Sequence, residues 1–261
     1  MVIYVPNGRA REYSPLALNY FKGCDHNCDY CYVPRMKGRW DKTYQHSNVI
    51  LPSAKDIQRI EKSAKKWQGC DEQILLSFMG DPYCNAENGE TRTILEILNN
   101  YEHKVSVLTK NPKKALRDLD MINQFGKRIK IGTTLTFDND TDSFQYESGA
   151  SLPQSRIDAL KEFEQNGIIT WVSFEPVIIP AQSLNLLAQV VGFIDHVKIG
   201  KVNNYMGLSK QINWTQFIKD SVQILRNGAM DDRFYIKKDL LAYNNGVYLS
   251  ANETNQDWLN L

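Results

Sequence analysis

Three cysteines fall close together in Gly23-Cys-Asp-His-Asn-Cys-Asp-Tyr-Cys-Tyr32, spaced C-x3-C-x2-C. Thiolates set this near one another hold soft or borderline metals, so the stretch reads as a zinc site or an iron–sulfur site. A structural zinc wants four protein ligands. His26 lies inside the loop, and Cys70 and Cys84 lie far along the chain, as the candidates for the fourth. A 4Fe–4S cluster on Cys24, Cys28 and Cys31 would use one thiolate per iron and leave the fourth iron open to a small molecule.

The thiols must be available for such chemistry. The five cysteines are an odd number, which argues against a disulfide framework. The opening MVIYVPNGRARE lacks the apolar core of a secretory signal, and no apolar run approaches about 18 residues. A cytoplasmic, reducing compartment without membrane contact is therefore expected. The 261 residues, 42% hydrophobic, suffice for a sizeable core. A formal net charge of +1 implies no large nucleic-acid-binding field and leaves only a local basic groove.

Elements that could position the cysteines follow from pattern. Short apolar runs read as strands at 16–21, 73–78, 104–109, 128–137, 168–174, 196–199 and 233–236. Helical spacing separates them. Ser53 caps a helix to about Trp67, Thr91 to Asn99 and Leu152 to Asn166 are helical, and Asn111-Pro112 opens a helix to about Phe125. Leu184 to Val191 and Trp214 to Arg226 follow. The order βαβ, repeated about six times, predicts a parallel sheet wrapped by helices. A closed eight-unit barrel takes about 250 residues. Six units fit this length better. The expected fold is α/β, a partial, open TIM barrel of about six β/α units in residues 1–240, with a C-terminal tail or cap in 241–261.

In such sheets chemistry sits beyond the carboxyl ends of the strands. The cysteine loop follows the first strand. Ser77, Gly80 and Asp81 follow the second, Thr109 and Lys110 end the third, and Thr133 and Thr134 lie on the fourth with Glu147 in the loop after it. Glu175 follows the fifth. Lys198, Lys201 and Asn203-Asn204-Tyr205 surround the end of the sixth, and Lys237 follows the seventh. Glu175 is a candidate catalytic carboxylate. Glu147, Lys198, Lys201, Asn203 and Lys237 could orient a polar or phosphorylated substrate by charge-assisted hydrogen bonds. Each alone also reads as a solvated surface group. Their convergence on strand ends makes them a set.

The cysteine spacing followed by Tyr32, after the first strand of a β/α chain, resembles the radical S-adenosylmethionine (radical SAM) superfamily. Within it the chain is similar to the spore photoproduct lyase-like group, through Ser14-Pro-Leu-Ala-Leu-Asn19, Gly23 to Tyr32, Asp81-Pro-Tyr83, Thr91-Arg92, Thr109-Lys110 and Ser155-Arg156. The likeness spans residues 14–240. It implies a 4Fe–4S cluster on the three cysteines, with S-adenosylmethionine on the open iron. One electron from the reduced cluster then gives methionine and a 5′-deoxyadenosyl radical, which abstracts a hydrogen atom. It further implies that Ser77, Gly80 and Asp81 receive the methionine amino group. Thr109 and Lys110 would face its carboxylate, Thr133 and Thr134 the ribose or carboxylate, and Tyr32, with Tyr30 beside it, the adenine. A flavodoxin- or ferredoxin-type electron donor and a nucleic acid or nucleotide substrate are expected from the subgroup. Radical modification of a peptide or small metabolite is the alternative within enzymes, and a non-catalytic cluster- or zinc-binding nucleic-acid module the alternative outside them. Two places depart from the pattern. After the second strand, where the family often has glycines and a glutamate, this chain has only Gly80 and Asp81. Where the lyases carry a hydrogen-donating cysteine, this chain has Met79; Cys84, a few residues on, is the candidate replacement and also reads as a buried thiol.

Overall fold

The computed structural model describes residues 1–203 and 205–261. Asn204 therefore lies outside the described residues. Eight strands form one sheet in chain order: β1 Ile3–Tyr4, β2 Leu16–Leu18, β3 Ile74–Leu76, β4 Val105–Thr109, β5 Ile129–Thr134, β6 Ile169–Phe174, β7 His196–Ile199 and β8 Phe234–Ile236. β1 runs antiparallel to β2, and every later pairing is parallel. The sheet is open, as a partial TIM barrel requires, and six helical crossovers join β2 through β8.

The crossovers begin where their sequences dictate. Helix α1 (Tyr32–Lys37) starts directly after Cys31. Ser53 heads α2 (Ala54–Lys66) through a capping box, its side chain accepting from the Asp56 amide while the Asp56 carboxylate accepts from the Ser53 amide. Helix α3 (Glu90–Asn100) crosses to β4. The single helix expected from Asn111 to Phe125 is instead broken into α4 (Pro112–Ala115), a 3₁₀ turn and α5 (Leu119–Gln124). The buried carboxylate of Asp118 sits at the break, taking hydrogen bonds from the Tyr83 hydroxyl (3.1 Å) and Arg117 (3.0 Å). Helices α6 (Asp140–Tyr146) and α7 (Pro153–Gln165) precede β6. Helix α8 (Pro180–Val190) begins earlier than its apolar spacing indicated, because Pro180 supplies the first helical position. Helix α9 (Trp214–Asn227) leads to β8.

Strand alternation sorts the side chains. Val107, Ile131, Val172, Val197 and Ile236 pack outward under the helices. The opposite parity points into the barrel, and it is unusually polar: Lys130, Ser173, Lys198 and Tyr235, with Trp171 among them. The tail closes the amino-terminal end of this interior. After α10 (Lys238–Leu241) and α11 (Ala251–Thr254), Asp257 pairs with Arg11 (2.5 and 3.0 Å), and Lys130 Nζ donates to the Leu259 carbonyl (2.5 Å). Gln73 Nε2 donates to Asn260 (2.8 Å). The other end is left to the site.

Candidate active site

The cysteine loop leaves β2 at the carboxyl end of the sheet, and three contacts hold it. Asn19 reaches across to β3, its Oδ1 accepting from the Ser77 hydroxyl (3.0 Å) and the amides of Phe78 (2.8 Å) and Met79 (3.1 Å). Gly80 then passes so close that a Cβ would stand 2.6 Å from the Gly23 carbonyl oxygen. On the other side Gly149 is equally confined, a Cβ falling 2.2 Å from the Asp25 oxygen. Residues 26–29 pair antiparallel with 146–149: Cys28 bridges Glu147, the Asp29 amide donates to Tyr146 (3.0 Å) and the Gly149 amide to His26 (3.0 Å). The loop is thus pinned between the segments following β3 and β5.

Charge surrounds the thiols. Glu147, fully buried, accepts from Lys110 Nζ (2.8 Å), Arg156 (2.5 Å) and the Tyr30 hydroxyl. Two cations therefore share one carboxylate behind Cys28. Burial pushes the Cys28 thiol up to about 12, against the pull of Lys110, and brings Lys110 down to about 8. Burial likewise raises Cys24 and Cys31. On the outer side, His46 Nε2 lies 3.7 Å from Cys31 Sγ, while its Nδ1 meets the Tyr44 hydroxyl at 2.8 Å.

These features fit a 4Fe–4S cluster, whose net negative charge wants nearby cations and hydrogen-bond donors. Among the described residues no three of His, Cys, Asp and Glu converge closely enough to share one ion. His26, the loop's own candidate zinc ligand, turns its Nδ1 to Asp81 (3.4 Å) instead. Cys70 packs near Trp67 on the outer core.

Asp81 is an internal brace. Its carboxylate accepts from the Thr109 hydroxyl (2.6 Å) and the amides of Lys110 (2.7 Å) and Tyr83 (2.8 Å). Burial alone would raise its pKa, but His26 and these donors hold it below the ordinary value. Alternation sends Thr133 to the helix side, where it donates to the Thr109 carbonyl (2.7 Å). Thr134 has the opposite parity and points to the barrel mouth, and its carbonyl accepts from Arg156 (2.9 Å). Tyr32 is 54% exposed and donates to the Phe78 carbonyl (2.6 Å), so it stands across the loop after β3. Cys84 has no exposed surface, and burial raises its thiol to about 12.

Opposite the cysteines, register builds a second cluster. Parallel pairing aligns Ser173, Lys198 and Tyr235 in one inward row, and Glu175, Gly200 and Lys237 in the row above. A Cβ on Gly200 would come within 2.9 Å of both the Glu175 and Lys237 side chains. The glycine leaves the space in which Lys237 Nζ and Glu175 Oε2 meet at 2.5 Å. Tyr13 donates to the same oxygen (2.6 Å), and Asn203 Nδ2 approaches Oε1 at 3.4 Å. The Tyr13 ring lies under Lys237 (4.4 Å to the centroid) and edge-on to Phe78 (6.2 Å between centroids). Lys198 sits one row deeper, donating to the carbonyls of Glu12 (2.8 Å) and Tyr13 (3.1 Å), and burial brings its pKa to about 7. The expected set of Glu175, Asn203, Lys198 and Lys237 is brought together. Glu147 belongs to the cysteine side. Lys201 stands apart, near Ser209 (3.4 Å) and over the Tyr243 ring. Glu12, Tyr235 and His46 were not anticipated. Tyr235 lies on β8, whose alternation was the available signal; nothing local marks Glu12 or His46. The described surface hollows, by Lys62 and by Tyr248, lie away from this mouth.

Comparison with known proteins shows the family. The model of the radical SAM superfamily matches residues 18–194, about two thirds of the chain. Protein MJ0683 of Methanocaldococcus jannaschii is 26% identical over 163 residues, 62% of this chain and 60% of that protein. ORF301 of Acidianus two-tailed virus is 24% identical over 187 residues, 68% and 61% of the two chains. The matches thus span about three fifths of each relative. Among solved structures, Streptococcus suis SuiB bound to S-adenosylmethionine superposes with a TM-score of 0.63 at 14% identity, covering 90% of this chain and 53% of SuiB. A spore photoproduct lyase mutant with bound S-adenosylmethionine and dinucleoside spore photoproduct superposes with a TM-score of 0.63 at 10% identity, covering 89% and 78%. At such identities the superpositions speak for the fold, while the match over residues 18–194 speaks for the family. The chain belongs to the radical SAM superfamily, whose members use a 4Fe–4S cluster and S-adenosylmethionine.

Proposed function

We propose that Cys24, Cys28 and Cys31 hold the cluster and that the enzyme abstracts a hydrogen atom from a nucleic acid or nucleotide at the barrel mouth. Bound there, the cluster and S-adenosylmethionine supply an electron and a carbon-centred radical. The chain's own residues do the rest. Asn19 and Asp81 fix the segment 77–81, whose backbone and Ser77 receive the methionine amino group; Gly80 lets that segment lie against the cysteine loop. Lys110 keeps 14% of its side chain exposed and offers its charge to the methionine carboxylate. Thr134 takes the ribose side. Tyr32 gives the adenine a ring, and Tyr30 holds Glu147.

One observation carries the substrate side: Glu175, Tyr13, Asn203 and Lys237 meet at the mouth beside Phe78. A nucleobase asks for this combination, an aromatic wall with donor and acceptor groups at its edge. Glu175 as acceptor and Asn203 as donor can fix a base or sugar, with the buried Lys237 holding the Glu175 carboxylate in place, and keep stray water from the reacting carbon. The spore photoproduct lyase neighbour, bound to a dinucleoside lesion, shares the fold. Cys84, buried, is held back from direct hydrogen donation by its packing. A flavodoxin- or ferredoxin-type protein as electron source, and a reducing cytoplasmic compartment, complete the reading.

Deuterium transfer tests it. The anaerobically reconstituted, dithionite-reduced enzyme is given S-adenosylmethionine with perdeuterated single-stranded oligonucleotides, nucleotides or peptides in turn. Deuterium in 5′-deoxyadenosine from the nucleic acid pools alone is expected. Deuterium from peptides alone would transfer the site to a substrate class like that of SuiB, which has been solved bound to its precursor peptide SuiA.

A further inference from the structure

Residues 22–50 form one closed loop. Lys22 and Ile50 exchange backbone hydrogen bonds at its neck (3.2 and 2.7 Å). Its first half carries the cysteines. Its second half carries an arm, Arg35-Met-Lys-Gly-Arg-Trp-Asp-Lys42, that the site described above does not use. The arm is braced at its base. The Cys24 amide donates to the His46 carbonyl (2.7 Å), and Tyr44 and His46 join side chain to side chain (2.8 Å).

The arm presents an aromatic ring among cations. Trp40 is 90% exposed, the highest value among the described large hydrophobic residues. Leaving such a ring in water forgoes about 2 kcal/mol of burial. Arg35, Lys37, Arg39 and Lys42 are all exposed, and among the described residues none of them is in an ion pair. Asp41, the arm's one acid, is turned onto its neighbour, accepting from the amide (2.9 Å) and hydroxyl (2.7 Å) of Thr43. In a chain of net charge +1 these four cations are a local concentration.

We infer that this arm is a contact site for single-stranded nucleic acid, in which the Trp40 indole stacks on one unpaired base and the flanking cations take the adjacent phosphates. The inference rests on the proposed substrate class and deepens it: the arm grips the strand outside the mouth, beside the loop that holds the cluster. An acidic protein matches the charge as well. A lone protruding ring with cations on both sides follows instead the phosphate–base–phosphate alternation of a strand.

The test is fluorescence anisotropy of labelled single-stranded DNA and RNA 12-mers with reconstituted holoenzyme, over a salt series. Wild type is expected to bind, with affinity falling as salt rises. Trp40→Ala should weaken binding roughly five- to one-hundred-fold, the loss of one base stack, while Trp40→Phe recovers most of it. Arg39→Gln with Lys42→Gln should flatten the salt slope. Unchanged cluster absorption in each variant shows that the loop has kept its fold. No binding by wild type at low salt, equal binding by Trp40→Ala, or equal affinity for duplex would overturn the inference. So would oligonucleotide binding that survives Trp40→Ala while binding to a flavodoxin is lost. Strand binding that depends on Trp40 without any deuterium transfer would keep the arm and sink the catalytic reading; transfer without such binding would do the reverse.

Discussion

A hydrogen bond to a cluster thiolate draws charge from its sulfur and raises the reduction potential. A thiolate on iron has no proton of its own, so with Cys31 as the proposed ligand the 3.7 Å contact between His46 Nε2 and Cys31 Sγ would have the histidine as donor. A neutral imidazole has one proton to give. With that proton on Nε2, Nδ1 accepts from the Tyr44 hydroxyl. Replacing His46 with Leu is expected to lower the cluster's midpoint potential in an EPR-monitored redox titration with iron content unchanged; an unmoved potential would mean that the contact does no tuning. Asp81 acts through position. Its folded-state pKa lies below the ordinary value of 3.8, so its stabilisation is complete above that pH and is lost as pH falls through the folded value. Asp81→Asn should cost about 1–3 kcal/mol at neutral pH in urea denaturation, and the gap to wild type should shrink on acidification below about pH 4. That Cys24, Cys28 and Cys31 share one loop after the first strand could be read directly from their spacing. His46 could not, because only the closure of the loop at Lys22 and Ile50 brings it back to Cys31.

At the scale of elements, strand parity decides which side chains meet. The rows Ser173–Lys198–Tyr235 and Glu175–Gly200–Lys237 follow from parallel register, and Gly200 is the position on which the upper row turns. Gly200→Ala should force apart Glu175 and Lys237 and cost roughly 1–3 kcal/mol in stability. The same stability as wild type in chemical denaturation would show that the pair can move aside freely. All seven parallel strands were legible as short apolar runs between helical segments, because a buried parallel strand has little other signature. The start of α8 lies ahead of its apolar spacing because Pro180 supplies the first helical position, and the break between α4 and α5 has no local mark because it answers to Asp118, Tyr83 and Arg117 meeting in space. Parity also separates Thr133 from Thr134, which sequence reasoning had treated alike.

For the whole molecule, a polar barrel must be closed at one end to function at the other. The tail does this through Asp257, Leu259 and Asn260, with Leu259 only 3% exposed. Removing residues 256–261 would leave Lys130 Nζ without that acceptor and expose the site of Leu259, a loss on the order of 3 kcal/mol. A thermal melt no lower than that of the full chain would show that the floor closes without the tail. Composition could announce neither this floor nor the inward lysines, since a net charge of +1 says nothing about where charges lie. The most direct measurement of the central claim is made on wild type and Cys28→Ala side by side: anaerobic reconstitution with iron and sulfide, reduction with dithionite, addition of S-adenosylmethionine, and mass analysis of 5′-deoxyadenosine. Wild type should carry four irons per chain, roughly the content of one such cluster, and form 5′-deoxyadenosine, whereas the folded variant should do neither. Full iron and product from Cys28→Ala would contradict the assignment of the cluster to this loop.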